Sequence, residues 1–253
     1  MKKIIIGNWK MNPTSIKQAS KIFSSVSSGL KNKNIEVVVA PPFVYIEKLK
    51  KISKKVSIAS QDASFIDKGP YTGEVSGEML REIGVKYAIL GHSERRHMGE
   101  DNELINKKIK SVLFSGVTPV LCVGEDDRDD NHEYFNFVKS QLLECLKGIK
   151  KDSISKVIIA YEPVWAISTT VDRRDATAHD CEEMVIFIRK VISSITSPVL
   201  AKKIRILYGG SVNDRDAGEF LTKGGVDGLL VGKASLDPKK FLKIVNICEV
   251  SKN

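Results

Sequence analysis

The chain has 253 residues, 42% of them hydrophobic and 28% charged, which is too apolar for disorder and enough for one large core or two small ones. Forty basic against 31 acidic side chains leave a net charge of +9, which raises two candidate partners, a nucleic acid and a small phosphorylated anion. No apolar run reaches the roughly eighteen residues of a membrane-spanning helix, and Ile4, Ile5 and Ile6 behind Lys2 and Lys3 are too few for a secretory signal, so no membrane and a cytoplasmic location are expected.

Along the chain, short β-branched runs alternate with longer amphipathic stretches, the pattern of a parallel sheet. The spacing predicts strands over 3–8, 35–40, 56–61, 87–91, 118–123, 156–162, 203–208 and 227–231. Several are apolar throughout, as strands covered on both faces are. Leu104, Ile105, Ile109, Val112 and Leu113 form one helical stripe; Cys181, Met184, Val185, Ile188, Val191, Ile192 and Ile195 form another. The second opens at Thr177-Ala178-His179-Asp180, a capping-box pattern. Eight βα units in 253 residues is about 32 residues each, which predicts an α/β fold, a single-domain (β/α)8 barrel over residues 1–253. The alternative, a doubly wound open sheet, usually carries G-x-G-x-x-G after its first strand, where this chain reads Gly7-Asn8-Trp9-Lys10. Cys122, Cys145, Cys181 and Cys248 are widely separated with no C-x-x-C pair, so reduced thiols, no disulfide framework and no metal site are expected.

In such a barrel the chemistry lies at the carboxyl ends of the strands. Strand one delivers Asn8 and Lys10 there, strand four His92, Ser93 and Glu94, strand six Glu162, strand seven Gly209-Gly210-Ser211, and strand eight Gly232-Lys233. Singly, each has a bland reading: a solvated carboxylate, a core histidine, a surface lysine, a tight turn. Their arrival at one structural level favours function. Main-chain N–H groups in Gly-containing turns cradle phosphate. A carboxylate base, an imidazole and an ammonium with no cofactor suit proton abstraction beside a carbonyl.

The stretches Gly7-Asn8-Trp9-Lys10-Met11-Asn12, Gly91-His92-Ser93-Glu94-Arg95-Arg96, Tyr161-Glu162-Pro163-Val164-Trp165-Ala166-Ile167 and Tyr208-Gly209-Gly210-Ser211-Val212 resemble the triosephosphate isomerase family. Tyr71-Thr72-Gly73-Glu74-Val75-Ser76 and Cys122-Val123-Gly124-Glu125 add to the likeness, which runs in order through essentially the whole chain. The resemblance implies a glycolytic and gluconeogenic isomerase of dihydroxyacetone phosphate and D-glyceraldehyde 3-phosphate. Glu162 would carry the proton between two carbons, and His92 would be a neutral electrophile beside the helix start at Ser93 and Glu94. Lys10 would stabilise negative charge, Glu94 would support Lys10, and Asn8 would position substrate. Ser168, Ser211, Gly232 and Lys233 would offer main-chain N–H groups to phosphate. The stretch from Pro163 onward would be a closing lid, with Ile167 and Leu230 keeping water from Glu162. Residues 61–82 would build a homodimer, Thr72 reaching toward the partner's site.

The chain departs from the family pattern in its lid. Where the family commonly reads A-I-G-T-G-K, this chain has Ala166-Ile167-Ser168-Thr169-Thr170-Val171, and the lid is about three residues longer than the family's, so a barrel that binds phosphorylated metabolites with impaired turnover is the alternative. Arg173 and Arg174 in that insertion could meet phosphate, but a solvated turn is the expectation. Lys233 stands where a glycine is common, and Pro13 stiffens the turn after Lys10. The lysines at 48, 50, 51, 54 and 55 and at 147, 150 and 151 lie on separate outer helices without interleaved aromatic residues, which argues against nucleic acid.

Overall fold

The structure, a computed structural model, describes residues 1–31, 34–167 and 174–251. Its strands are β1 (Ile4–Asn8), β2 (Glu36–Ala40), β3 (Ser57–Ser60), β4 (Tyr87–Leu90), β5 (Thr118–Val123), β6 (Ile158–Tyr161), β7 (Ile206–Tyr208) and β8 (Gly228–Val231). They run parallel in chain order and close on themselves, β1 pairing with both β2 and β8. The helices are α1 (Ile16–Gly29), α2 (Ile46–Ile52), α3 (Gly77–Glu82), α4 (Ser93–His97), α5 (Asn102–Phe114), α6 (Glu133–Cys145), α7 (Lys151–Ile154), α8 (Ala178–Ile195), α9 (Pro198–Ala201), α10 (Ala217–Lys223) and α11 (Pro238–Val250). The predicted eight-stranded barrel is therefore the observed fold, and all eight predicted strands are present. Two begin late. Ahead of β7, Lys203 and Ile204 donate their N–H groups to Leu200 and Ala201 and close the turn after α9; ahead of β6, Lys156 and Val157 do the same to Ser153 and Ile154 after α7. Local helical hydrogen bonds have claimed residues whose side chains suit a strand.

The apolar strand runs reflect burial on both faces. Ile4, Ile6, Val38, Ala40, Ile89, Val120, Ile158, Ala160, Leu207 and Leu230 fill the barrel interior. Their alternates, among them Ile5, Val37, Val39, Leu90, Leu121, Ile159, Ile206, Leu229 and Val231, pack outward under the helices. Period-two alternation thus separates two apolar layers rather than core from solvent. The capping box of α8 is formed: the Asp180 N–H donates to Thr177 Oγ1 at 3.1 Å and the Thr177 N–H donates to Asp180 Oδ2 at 2.8 Å. The α8 stripe from Cys181 to Ile192 is buried against the barrel. Among the described residues no helix is long and apolar enough to cross a membrane.

Closure of the barrel depends on Gly228. A Cβ there would sit 1.8 Å from the Ile4 carbonyl oxygen, across the β1–β8 seam. Gly228→Ala is expected to cost about 3 kcal/mol or more, read as a lowered urea midpoint. Gly218→Ala in α10, where the nearest atom is Ile247 Cγ2 at 3.4 Å, should leave the midpoint unchanged or raise it.

All four cysteines are free and buried. Burial pushes the thiols of Cys145 and Cys248 from an ordinary 9.0 up to about 11, and those of Cys122 and Cys181 higher still. Folded thiols then stay protonated where unfolded ones ionise. The stabilisation is full below pH 9.0 and is lost as pH rises toward about 11. Chemical unfolding measured across that window should show stability falling with rising pH, and less steeply in Cys145→Ala than in the parent.

Candidate active site

The carboxyl end of β1 turns sharply. Lys10 has φ 52, a left-handed conformation costing a non-glycine residue on the order of 1 kcal/mol. Its main chain is held from both sides: the Lys10 N–H donates to Asn8 Oδ1 at 3.0 Å, and Gln61 Nε2 donates to the Lys10 carbonyl at 2.8 Å. Gln61 Nε2 also donates to the Ala40 carbonyl at 2.8 Å, so one amide joins the ends of β1, β2 and β3. The Lys10 ammonium meets Glu94 Oε1 at 2.7 Å. The strained backbone and the ion pair together aim Lys10 across the barrel mouth.

After β4, His92 caps the short helix α4 with its own ring: Nδ1 accepts the Glu94 N–H at 3.1 Å. An amide cannot donate to a protonated nitrogen, so the ring proton resides on Nε2 and the imidazole is neutral. Nε2 lies 3.4 Å from Glu162 Oε1. Arg96 ties α4 back to the barrel, donating to the carbonyls of Gly91 at 2.8 Å and Cys122 at 3.1 Å.

Glu162 follows β6 and is only 2% exposed. Its Oε2 accepts the Ser93 N–H at 3.2 Å, while Oε1 is buried without a hydrogen-bond partner. Two glycines make its seat. A Cβ on Gly209 would lie 2.8 Å from Glu162 Cγ, and one on Gly124 would lie 1.8 Å from the Glu162 carbonyl oxygen. A Cβ on Gly210 would lie 2.3 Å from the Tyr208 hydroxyl. Neither Gly209 nor Gly210 has positive φ, so this pair serves close packing, which the reading as a turn had not captured. Burial first, and then the charge of Glu162, push the Cys122 thiol beneath it well above its ordinary range.

Beyond Glu162 the chain makes a 3₁₀ turn, Val164–Ala166. Its Trp165 donates to Glu125 Oε1 at 2.9 Å, and the Tyr161 hydroxyl donates to the same oxygen at 2.7 Å. The Arg128 guanidinium, bound to Asp180 and Glu183 at 3.0 Å each, lies 5.5 Å from the Trp165 ring, and that of Arg174 lies 4.4 Å from it. Arg174 is exposed and is absent from the cleft lining, but it is more than a solvated turn residue: its side chain stacks on Trp165. Ser168 and Arg173 lie outside the described residues.

These ends enclose a cleft of about 680 Å³ lined by Asn8, Lys10, His92, Glu162, Ser211, Gly232 and Lys233, with Ile167 and Leu230 as its apolar wall. Seven of the nine expected site residues therefore meet in one cavity. Glu94 stands behind it, reaching it through Lys10. Sequence reasoning missed Gln61 and Glu125 as positioning groups; reading the ends of β3 and β5 in the same way as the others would have reached both. Lys240, which also lines the cleft, lies in the first turn of α11, and nothing local marks it.

Comparison with known proteins agrees with this geometry. The family profile described as triosephosphate isomerase matches residues 3–248. A protein named triosephosphate isomerase from Thermoanaerobacter sp. (strain X514) is 44% identical over 247 residues, covering 96% of this chain and 98% of the relative. Proteins of the same name from Thermoanaerobacter pseudethanolicus and Dictyoglomus thermophilum are 43% and 42% identical, with the same coverage of both chains.

Proposed function

The chain belongs to the triosephosphate isomerase family, whose enzymes are isomerases of class EC 5.3.1.1, and we propose that it interconverts dihydroxyacetone phosphate and D-glyceraldehyde 3-phosphate, an activity of glycolysis and gluconeogenesis, through an enediolate. The observation that carries the proposal is the meeting of a neutral Nε2–H on His92 with the unpartnered, buried Oε1 of Glu162 at 3.4 Å. The Glu162 carboxylate takes a proton from the carbon next to the carbonyl. The C–H electron pair forms the C=C bond, and the carbonyl π electrons move onto oxygen. The Nε2–H of His92 and the Lys10 ammonium stabilise that oxygen. Proton transfers between the two oxygens and return of the proton from Glu162 to the neighbouring carbon complete the exchange, with no net gain or loss of electrons. Main-chain N–H groups around Ser211, Gly232 and Lys233 hold the phosphate. Ile167 and Leu230, both buried, exclude water above Glu162. Lys10, His92 and Glu162 in one cleft support turnover rather than binding alone.

A coupled assay on the purified protein should show isomerisation, and Glu162→Gln should lower kcat by about 10³-fold without changing the unfolding midpoint by more than a small amount. Wild-type protein without activity, or a Glu162→Gln variant as active as the parent, would refute the mechanism.

We further propose a homodimer through residues 61–82. Phe65, Tyr71 and Met79 in this stretch are 39%, 49% and 55% exposed, an apolar cluster in sequence that cover by a partner would remove from water. Behind it the buried Lys108 ammonium binds Asp62 at 2.8 Å and Glu100 at 2.6 Å, giving the loop a rigid base. Sedimentation at micromolar concentration should give twice the mass of one chain, and Tyr71→Asp with Met79→Asp should give a single chain of reduced activity.

A further inference from the structure

The cleft carries positive charge in two unlike ways. At the reacting end, Lys10 is paired with Glu94 at 2.7 Å. Beyond β8, Lys233 and Lys240 both line the cleft. Among the described residues neither forms an ion pair within 4.0 Å; Lys243, on the same helix as Lys240, pairs with Asp214 at 2.9 Å, and the charge of Lys240 also acts on Asp214. The acidic residue of that wall, Asp237, is occupied as the cap of α11, accepting the N–H groups of Lys239 at 2.9 Å and Lys240 at 3.3 Å. A Cβ on Gly232 would lie 3.9 Å from Lys10 Cε, so the segment that carries Lys233 adjoins the lysine of the reacting end. Cationic side chains lining a cleft raise the positive potential at its mouth.

We propose that the side chains of Lys233 and Lys240 are specificity-determining groups that draw the phosphate dianion into the cleft and orient it, phosphate toward β8 and carbonyl toward Lys10 and His92. This role is separate from that of the Lys233 main-chain N–H. It rests on the isomerase reading for the identity of the substrate. A substrate with charge at one end meets these two cationic side chains on the β8 side of the cleft, so capture and orientation occur together.

The test is Lys233→Gln and Lys240→Gln, singly and combined, against a charge-matched control, Lys202→Gln with Lys203→Gln, two exposed residues ahead of β7. At low ionic strength kcat/KM for D-glyceraldehyde 3-phosphate should fall about three- to tenfold in the double variant, the loss lying in KM. Its dependence on ionic strength should be shallower than the parent's. The two proteins should converge near 1 M salt, where the screening length is about 3 Å. Calorimetry with inorganic phosphate should show a matching rise in Kd. Equal salt dependence in parent and variant, a difference that persists at 1 M salt, or the same loss in the control would overturn the proposal. A parent protein that binds phosphate through these lysines but turns nothing over would overturn the isomerase reading and leave this one standing.

Discussion

A carboxylate enters a protein interior only where the surrounding backbone leaves it room and gives it donors, and the seat of Glu162 meets the first condition more fully than the second. Gly124 and Gly209, at the ends of the two neighbouring strands, exclude the Cβ atoms that would collide with it. One donor, the Ser93 N–H, serves Oε2, and Oε1 has none. Leaving a buried acceptor unsatisfied costs about 1–3 kcal/mol, more for a charged group. Six buried side-chain atoms among the described residues stay unpartnered, and of the residues that carry them only Glu162 lines the cleft. Under the proposed mechanism that oxygen takes the proton.

The opposing wall is built to stay still. The left-handed backbone of Lys10 is stabilised by Asn8 before it and by Gln61 from β3, and its ammonium by Glu94 from α4. Glu94 acts twice, since its main-chain N–H also fixes the His92 tautomer. Under the proposed mechanism, a cation and a neutral N–H donor are thus oriented before substrate arrives, which leaves little reorganisation for the reaction. Strain at Lys10 is met by Asn8 nearby and by Gln61 and Glu94 from distant parts of the chain, whereas the cost at Glu162 Oε1 is left unmet.

Strand positions could be read from the chain because apolar runs buried on both faces are a local signal. The limits of reading lie where a neighbour in space decides. The late start of β7 is set by the turn after α9. The small size of Gly209 is set by Glu162, and the orientation of Arg174 by the Trp165 ring. Residues at strand ends were visible because chain direction in a parallel barrel carries them to one rim. Gln61, Lys240 and the buried Lys108 were not, since an amide or an ammonium looks the same in sequence whether it faces solvent, a cavity or a pair of carboxylates.

The departures from the family pattern begin at Ser168, directly after Ile167. Trp165 is anchored by Glu125 from β5 and flanked by Arg128 and Arg174, while Ile167 is packed into the cleft wall. Lys10, His92 and Glu162 are each positioned by strand ends or by α4. Any displacement of the Trp165 indole must give up two guanidinium partners and the hydrogen bond to Glu125 together.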